Sequence, residues 1–256
     1  MMNTEVLKTE KLCKTFTLGN HKIAAVKDVS LRVDENEVVG LVGESGCGKS
    51  TLARLVTRLD TPDSGKIFLC GEDTTHASGR KLRSAYKNMK MIFQDPRSSF
   101  DPRLSLGASI RETLKMTFKM HEFEYKAASV RLLSQVGLDE SYDGMKPTEV
   151  SGGESQRAAI ARAIAGNPKL LICDEVTSAL DVSIQAQILE LLKRVQRETG
   201  ASILFISHDL ALVSSFCART YVMSGGVIAE HGTTAQIINS PENDYTRALI
   251  ASVLPI

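Results

Sequence analysis

No apolar run in this chain approaches the roughly 18 residues needed to cross a bilayer. The Lys- and Glu-studded stretch Met1 to Lys14 has no apolar h-region, so a secretory leader is not expected. Neither charge sign is in excess: Lys plus Arg is 31, Asp plus Glu is 30, and the net charge is +1. That balance supplies no basic field for nucleic acid and no polybasic tail for anionic lipid. The five cysteines (Cys13, Cys47, Cys70, Cys173, Cys217) form no CxxC pair and no metal-ligand spacing, so reduced thiols in a cytosol are expected. Internal repeats and low-complexity stretches are missing too. If this protein works at a membrane, something else must hold it there.

What is present is ordinary globular composition, 43% hydrophobic and 24% charged over 256 residues. The length allows one large domain or two lobes sharing a core. Glu5–Thr17 and Val26–Val33 read as strands, with turns at His21–Lys22 and Asp34–Asn36. Val38–Val42 is a short apolar strand, Ser50–Leu59 a helix, and Lys66–Leu69 a strand followed by a polar turn over Gly71–Gly79. Lys90–Phe93 is a strand that stops at Gln94, and Asp95–Pro102 carries two prolines that exclude helix and central strand. Ser105–Asp139 is helical in pattern, as is Ser155–Ala165. Leu170–Cys173 and Ser202–Ile206 are buried strands around the helix Val182–Thr199, which Gly200 ends. Strands alternating with helices predict a largely parallel, covered sheet with a helical lobe inserted.

The chemistry starts at Gly43-Glu44-Ser45-Gly46-Cys47-Gly48-Lys49-Ser50, which fits GxxxxGK[ST] at every fixed position. At average composition those four positions recur by chance in roughly one chain of this length per hundred. Strand before and helix after are the context the motif needs. Such a loop curls its N–H groups around a phosphate chain, and the following helix adds its positive end. Lys49 would reach the β- and γ-phosphates, and the Ser50 hydroxyl would ligate Mg²⁺. Downstream, Leu170-Leu171-Ile172-Cys173 ends in Asp174 and Glu175. Asp174 would hold the metal, and Glu175 would orient and deprotonate the attacking water. Ser151-Gly152-Gly153 ahead of a helix is by itself an N-cap with a flexible entry, yet the same hydroxyl, N–H groups and dipole make a second anion site.

With these motifs quoted, a resemblance can be stated. Between Glu5 and about Ile238 the chain resembles the nucleotide-binding subunit of an ATP-binding-cassette (ABC) transporter, with the motifs in the family's order. Val150-Ser151-Gly152-Gly153-Glu154 resembles the signature peptide, with Val150 for Leu and Glu154 for Gln. Gln94 matches the Q-loop, Ser178-Ala179-Leu180-Asp181 the D-loop and His208 the switch histidine, while Phe16 is a candidate to stack on adenine. The resemblance implies a P-loop NTPase (RecA-like) α/β core with an antiparallel β subdomain and an inserted helical signature subdomain. Residues 1–95 and 166–238 would form the core with its β subdomain, 96–165 the helical subdomain and 239–256 a tail.

ATP and Mg²⁺ are the implied cofactors. Gly43, Ser45 to Thr51, Ser151 to Glu154 and Asp181 would meet nucleotide; Ser50, Gln94 and Asp174 the metal; Glu175, His208 and Gln94 the reaction. The signature turn and Asp181 would act on a partner's nucleotide, which requires a head-to-tail dimer. The implied partners are a second ABC ATPase, itself or a paralogue, two permease subunits, and an extracellular solute-binding protein acting through them. The implied place is the cytoplasmic face of the cell membrane, with no nucleic acid involved. Gly43–Thr51, the Asp95–Pro102 loop and the tail Pro241–Leu249 resemble those of dipeptide, oligopeptide and nickel importer ATPases, with Asn243-Asp244 where His-Pro is usual and no cysteine-bearing extension. Rival readings are an assembly ATPase of iron–sulfur cluster biogenesis and the ATPase partner of the carbon–phosphorus lyase system. Cys47, at a helix N-terminus beside Lys49, is expected to carry a lowered pKa and to react with thiol reagents unless MgATP protects it.

Overall fold

The computed structural model describes residues 5–19, 21–178 and 180–253. A long antiparallel hairpin opens the chain: β1 (Glu5–Leu18) pairs with β2 (His21–Asp34), with Phe16 opposite Ile23 and Leu18 opposite His21. The turn expected over His21–Lys22 is instead the start of β2. The reversal uses Gly19 at φ +58°, and a tight hairpin connection of this kind lets pairing begin at once. With β4 (Ser64–Leu69) and β5 (Glu72–Asp73) these strands make a four-stranded antiparallel sheet in the order β2-β1-β4-β5.

The second sheet has six strands: β3 (Val38–Val42), β6 (Met89–Ile92), β7 (Leu170–Asp174), β8 (Ser202–Ser207), β9 (Arg219–Ser224) and β10 (Val227–Thr233). Their order is β10-β9-β3-β8-β7-β6, parallel except for the edge strand β10. Side chains on its central strands alternate between two cores. Leu171, Cys173, Ile203 and Phe205 face one; Leu170, Ile172, Leu204 and Ile206 face the other. Burial on both faces is why these strands read as unbroken apolar runs. The second core also takes Leu7 and Leu12 of the hairpin and Leu52 and Leu55 of α1 (Lys49–Val56). The first takes Ile160 of α5 (Gly152–Ile164), Ile188 and Leu192 of α6 (Val182–Thr199), and Val213 of α7 (Leu210–Phe216).

Between β6 and β7 the chain is helical. The single pattern expected over Ser105–Asp139 resolves into α3 (Leu106–Thr117) and α4 (Glu122–Gln135). Phe118 turns extended, and His121 with Glu124 forms a capping box that starts the second helix. Arg111 of α3 donates to both oxygens of Asp143 at 2.8 Å and to Ser129 of α4 at 3.0 Å, tying these helices to a 3₁₀ turn over Glu140–Asp143. A further 3₁₀ turn, Arg97–Ser99, sits inside the two-proline segment; one such turn fits where a longer helix cannot. The helix α2 (Gly79–Asn88) lies beyond the polar turn read over Gly71–Gly79; its only apolar spacing is the short set Leu82, Ala85 and Tyr86, and of its residues only Ala85 is buried. Beyond β10 lie α8 (Thr234–Asn239) and α9 (Asp244–Val253).

The architecture is thus α/β, with one antiparallel and one largely parallel sheet, as expected. Phe205 is fully buried at the sheet centre and meets Phe216 edge-on at 5.3 Å between centroids. Phe205→Ala is expected to cost about 3–5 kcal/mol in a urea titration, against at most about 0.5 kcal/mol for the exposed Phe123→Ala. Equal midpoints for the two variants would contradict this placement of the core.

Candidate active site

Parallel register decides where the chemistry sits. Val42 at the end of β3 is level with Ser207 at the end of β8, and Asp174 at the end of β7 is level with Ile206. Ile92 at the end of β6 pairs with Cys173. The segments that leave these strands, carrying Gly43 to Lys49, Gln94, Glu175 and His208, therefore open at the same carboxyl edge of the sheet. That edge is where open α/β sheets bind ligands.

The glycine loop has no room for side chains at two points. A Cβ on Gly43 would stand 2.1 Å from the Met223 carbonyl oxygen, and one on Gly48, at φ +113°, 2.2 Å from that of Ala25. Gly48 caps α1, whose first residue is Lys49. Lys49 is 3% exposed, and its Nζ donates to the carbonyls of Gly43 at 2.8 Å and Glu44 at 2.9 Å. The ammonium thus braces the loop from inside. A cleft of about 290 Å³ opens over it, lined by Ala25, Ser45, Gly46 and Gly48 to Thr51 together with Gln94 and Glu175.

Glu175 is the hub of that cleft. It has φ +47°, a left-handed conformation that costs a non-glycine residue roughly 1–2 kcal/mol. Its N–H donates to the Ile206 carbonyl at 3.0 Å, and its own carbonyl accepts from the Ser178 hydroxyl at 3.0 Å, so the turn is held from both sides. Its carboxylate lies 3.8 Å from Lys49 Nζ and 3.6 Å from His208 Nδ1, and accepts from Gln94 Nε2 at 3.1 Å. Gln94 Nε2 also donates to Ser178 Oγ at 3.2 Å. A cation, an imidazole and an amide from three other segments converge on one carboxylate. Such an arrangement can steer a water molecule and take its proton.

The neighbouring Asp174 accepts from Ser50 Oγ at 3.1 Å. Burial pushes its carboxyl above the ordinary range, against the opposing Ser50 hydrogen bond. Ser50 lines the cleft and Asp174 stands behind it, and a hydroxyl backed by a carboxylate is a donor set that suits a hard divalent cation completed by phosphate oxygens and water. Among the described residues no group of three or more His, Cys, Asp or Glu is placed to hold a metal.

The remaining expected nucleotide residues stand elsewhere. Ser151 caps α5, and Ser151 to Glu154 share a cleft of about 610 Å³ with Leu180, Asp181 and Ile184. None of them lines the phosphate cleft. Glu154, the departure from the signature pattern, is turned back into its own helix. Its Oε2 accepts from the Ser151 N–H at 2.7 Å, its Oε1 from the Tyr142 hydroxyl at 2.5 Å, and its N–H donates to Ser151 Oγ at 3.3 Å. Asp181 caps α6 through the Ile184 N–H at 3.0 Å. Ala179 lies outside the described residues. Phe16 is on the hairpin, 37% exposed, with Lys14 Nζ 5.5 Å from its ring centroid, and it does not line the phosphate cleft.

The expectation for Cys47 is overturned. Its side chain is 8% exposed and belongs to the core beneath the loop, and burial pushes the thiol pKa up despite Lys49 Nζ 4.0 Å away. Desolvation of the thiolate outweighs the nearby charge, so the thiol is not activated.

Pattern reading also missed Arg97, whose guanidinium bonds to the Val150 carbonyl just ahead of Ser151. It missed Ser178, Tyr142 and Tyr245 as well. A single Arg in a proline loop or a tyrosine outside any motif carries no signal until the fold supplies its partner.

Glu154→Ala is expected to cost about 0.5–2 kcal/mol in urea unfolding at neutral pH, the range for losing a helix cap. The Tyr142 hydroxyl, then Ser151, hold the Glu154 carboxyl below its ordinary range. This contribution is therefore complete above the unfolded value near pH ~4.3 and is lost as pH falls through the lower folded value. The gap between the two proteins should narrow in acid, and a gap independent of pH would contradict the assignment.

The family model for ABC transporters matches residues 26–178. A probable peptide ABC transporter ATP-binding protein, y4tS, of Sinorhizobium fredii is 43% identical over 98% of this chain and 73% of its own. The oligopeptide transport ATP-binding protein OppF of Escherichia coli is 43% identical over 90% of this chain and 70% of its own. Among solved structures, the dimeric post-hydrolysis state of the ATP-binding cassette MJ0796 bound to ADP and Pi superposes with a TM-score of 0.82 at 28% identity, covering 89% of this chain and 98% of that one. A glycine cradle, an acid hub at the strand ends and this degree of likeness lead to one conclusion: the chain belongs to the ABC transporter family and is an ATP-hydrolysing member of it.

Proposed function

We propose that this chain powers peptide import, as one ATPase of a head-to-tail pair held by two permease subunits at the cytoplasmic face of the cell membrane. A solute-binding protein outside the cell would deliver the peptide to the permease. The observation that carries the pairing is the separation of the two anion sites. One chain offers a phosphate cradle in one cleft and the serine–diglycine helix cap with Asp181 in another. A second chain set head to tail brings its cap to the first chain's cradle, and one nucleotide then bridges both. Peptide cargo rests on the names of the relatives; motifs alone put peptides, nickel and metal chelates on equal terms. No helix among the described residues is long and apolar enough to cross a membrane, which fits attachment through permease subunits.

In this reading ATP's β- and γ-phosphates take the place of the Gly43 and Glu44 carbonyls as partners of Lys49. Glu175 accepts the proton of the attacking water, with His208 beside the γ-phosphate and Gln94 holding the carboxylate's orientation. Mg²⁺, held by Ser50, Gln94 and Asp174, would neutralise phosphate charge. ATP favours the closed pair because only there does it touch both cap and cradle, and splitting it removes that difference in affinity.

The route to the permease is a groove of about 400 Å³ lined by Gln94 to Arg97, Gly152, Gln156 and Leu180. Arg97 ties this loop to the signature turn, and Arg162 of α5 donates to the Ser99 carbonyl at 2.6 Å and stacks on Phe100 at 4.2 Å. The Gln156 amide Nε2 is buried in the groove wall without a hydrogen-bond partner in the protein.

Glu175→Gln is expected to bind ATP, cut turnover about a hundredfold or more, and elute as a dimer in MgATP. Turnover close to wild type would remove Glu175 from the reaction. Ser151→Arg is expected to leave ADP binding by the cradle intact while abolishing cooperative hydrolysis. Retained cooperativity would rule out the shared site.

A further inference from the structure

The structure assigns a role to the C-terminal helix: we infer that Tyr245 is a positioning residue that holds the phosphate loop in its nucleotide-ready shape. The inference rests on the reading of Gly43 to Ser50 as the nucleotide cradle. The Glu44 N–H, inside that loop, donates to the Tyr245 hydroxyl at 3.2 Å across 201 positions of sequence. Among the described residues, the N–H groups of Ser45, Gly46, Gly48, Ser50 and Thr51 have no hydrogen-bond acceptor in the protein. They are the donors left for phosphate. Glu44's N–H is withdrawn from that set and anchored to a side chain on another element.

An anchor is useful only if it is rigid, and this one is clamped. The Glu230 carboxylate of β10 accepts the N–H groups of Glu242 at 2.8 Å and Asn243 at 3.1 Å. Asn243 Nδ2 donates to the Ala229 carbonyl at 3.2 Å, and its Oδ1 accepts from the Tyr245 N–H at 2.9 Å. Thr246 is fully buried beside it, Leu249 is 8% exposed, and the Tyr245 ring packs against the first core. Asn243 stands where the importer tail usually has histidine, so this chain's own departure forms the clamp. The hydroxyl therefore sits on a fixed arm at the Glu44 end of a loop whose other end is packed on Ala25 and bonded through the Cys47 carbonyl to the Gly226 N–H at 3.0 Å.

Fixing the loop before binding lowers the ordering cost of binding. Losing one such hydrogen bond, with the ring retained, weakens nucleotide binding without disturbing the acids at the strand ends. Tyr245→Phe tests this on the full chain. The expected result is a roughly three- to tenfold rise in the Kd for ADP and in the KM for ATP. kcat should stay within about twofold, since Glu175, Gln94 and His208 are untouched. Exchange of the Glu44 amide in the nucleotide-free protein should accelerate, while Tm in the same state is retained. Asn243→Ala, which loosens the arm, should weaken ADP binding in the same direction. The double variant should be little worse than Tyr245→Phe alone, because both act through one bond.

Unchanged ADP affinity in Tyr245→Phe overturns the inference. So does weaker affinity accompanied by a lowered Tm or by no change in Glu44 exchange, which would mark a general loss of structure. If the wild type itself bound no ADP, the cradle reading would fall and this one with it; wild-type binding with an unaffected Tyr245→Phe removes only the tyrosine's role.

Discussion

The structure depends on keeping one carboxylate, Glu175, in an unfavourable backbone conformation at the rim of a buried sheet. Its left-handed φ persists because the Ile206 carbonyl takes its N–H and the Ser178 hydroxyl takes its carbonyl. The first bond exists because β7 and β8 run parallel in a register that levels Asp174 with Ile206, and the second closes locally within the Glu175–Ser178 turn. Two packed cores, one on each face, hold that register. Slipping a strand by one residue would exchange the faces and put apolar side chains where the acids stand.

The signature turn is held by a different set of forces. Local capping by Ser151 and Glu154 shapes it, Tyr142 fixes Glu154, and Arg111 with Ser129 fixes the adjoining Asp143. Arg97 then connects the turn to the loop that begins at Gln94. The acid hub and the signature cap thus share a short chain of polar contacts, although they open into separate clefts. The Gln94 loop is the segment that touches both ends.

The substitution of glutamate in the signature has a plain physical consequence. A carboxylate accepts two hydrogen bonds where an amide would present one acceptor and one donor. Tyr142 and Ser151 supply the two donors. Both of its oxygens are thereby engaged within the helix cap and by Tyr142, although the residue still lines the cleft beside Ser151. At Cys47 the opposite lesson holds: a residue inside a motif need not face the site, since the loop's curl sends that thiol into the core.

Much could be read from order and spacing alone. A glycine loop between strand and helix, two acids ending an apolar strand, and strands alternating with helices are local patterns with local causes, and they placed Lys49, Asp174 and Glu175 near one edge. Element bounds failed where local pattern was silent: α2 has almost no buried face, and β2 starts at a turn-like His-Lys pair. Only the folded chain decided that Gln94 and His208 meet at Glu175, that Tyr142 occupies Glu154, and that Tyr245 reaches Glu44. Those contacts join segments far apart along the chain, and their geometry is set by sheet order and helix packing, which residue-to-residue spacing does not encode.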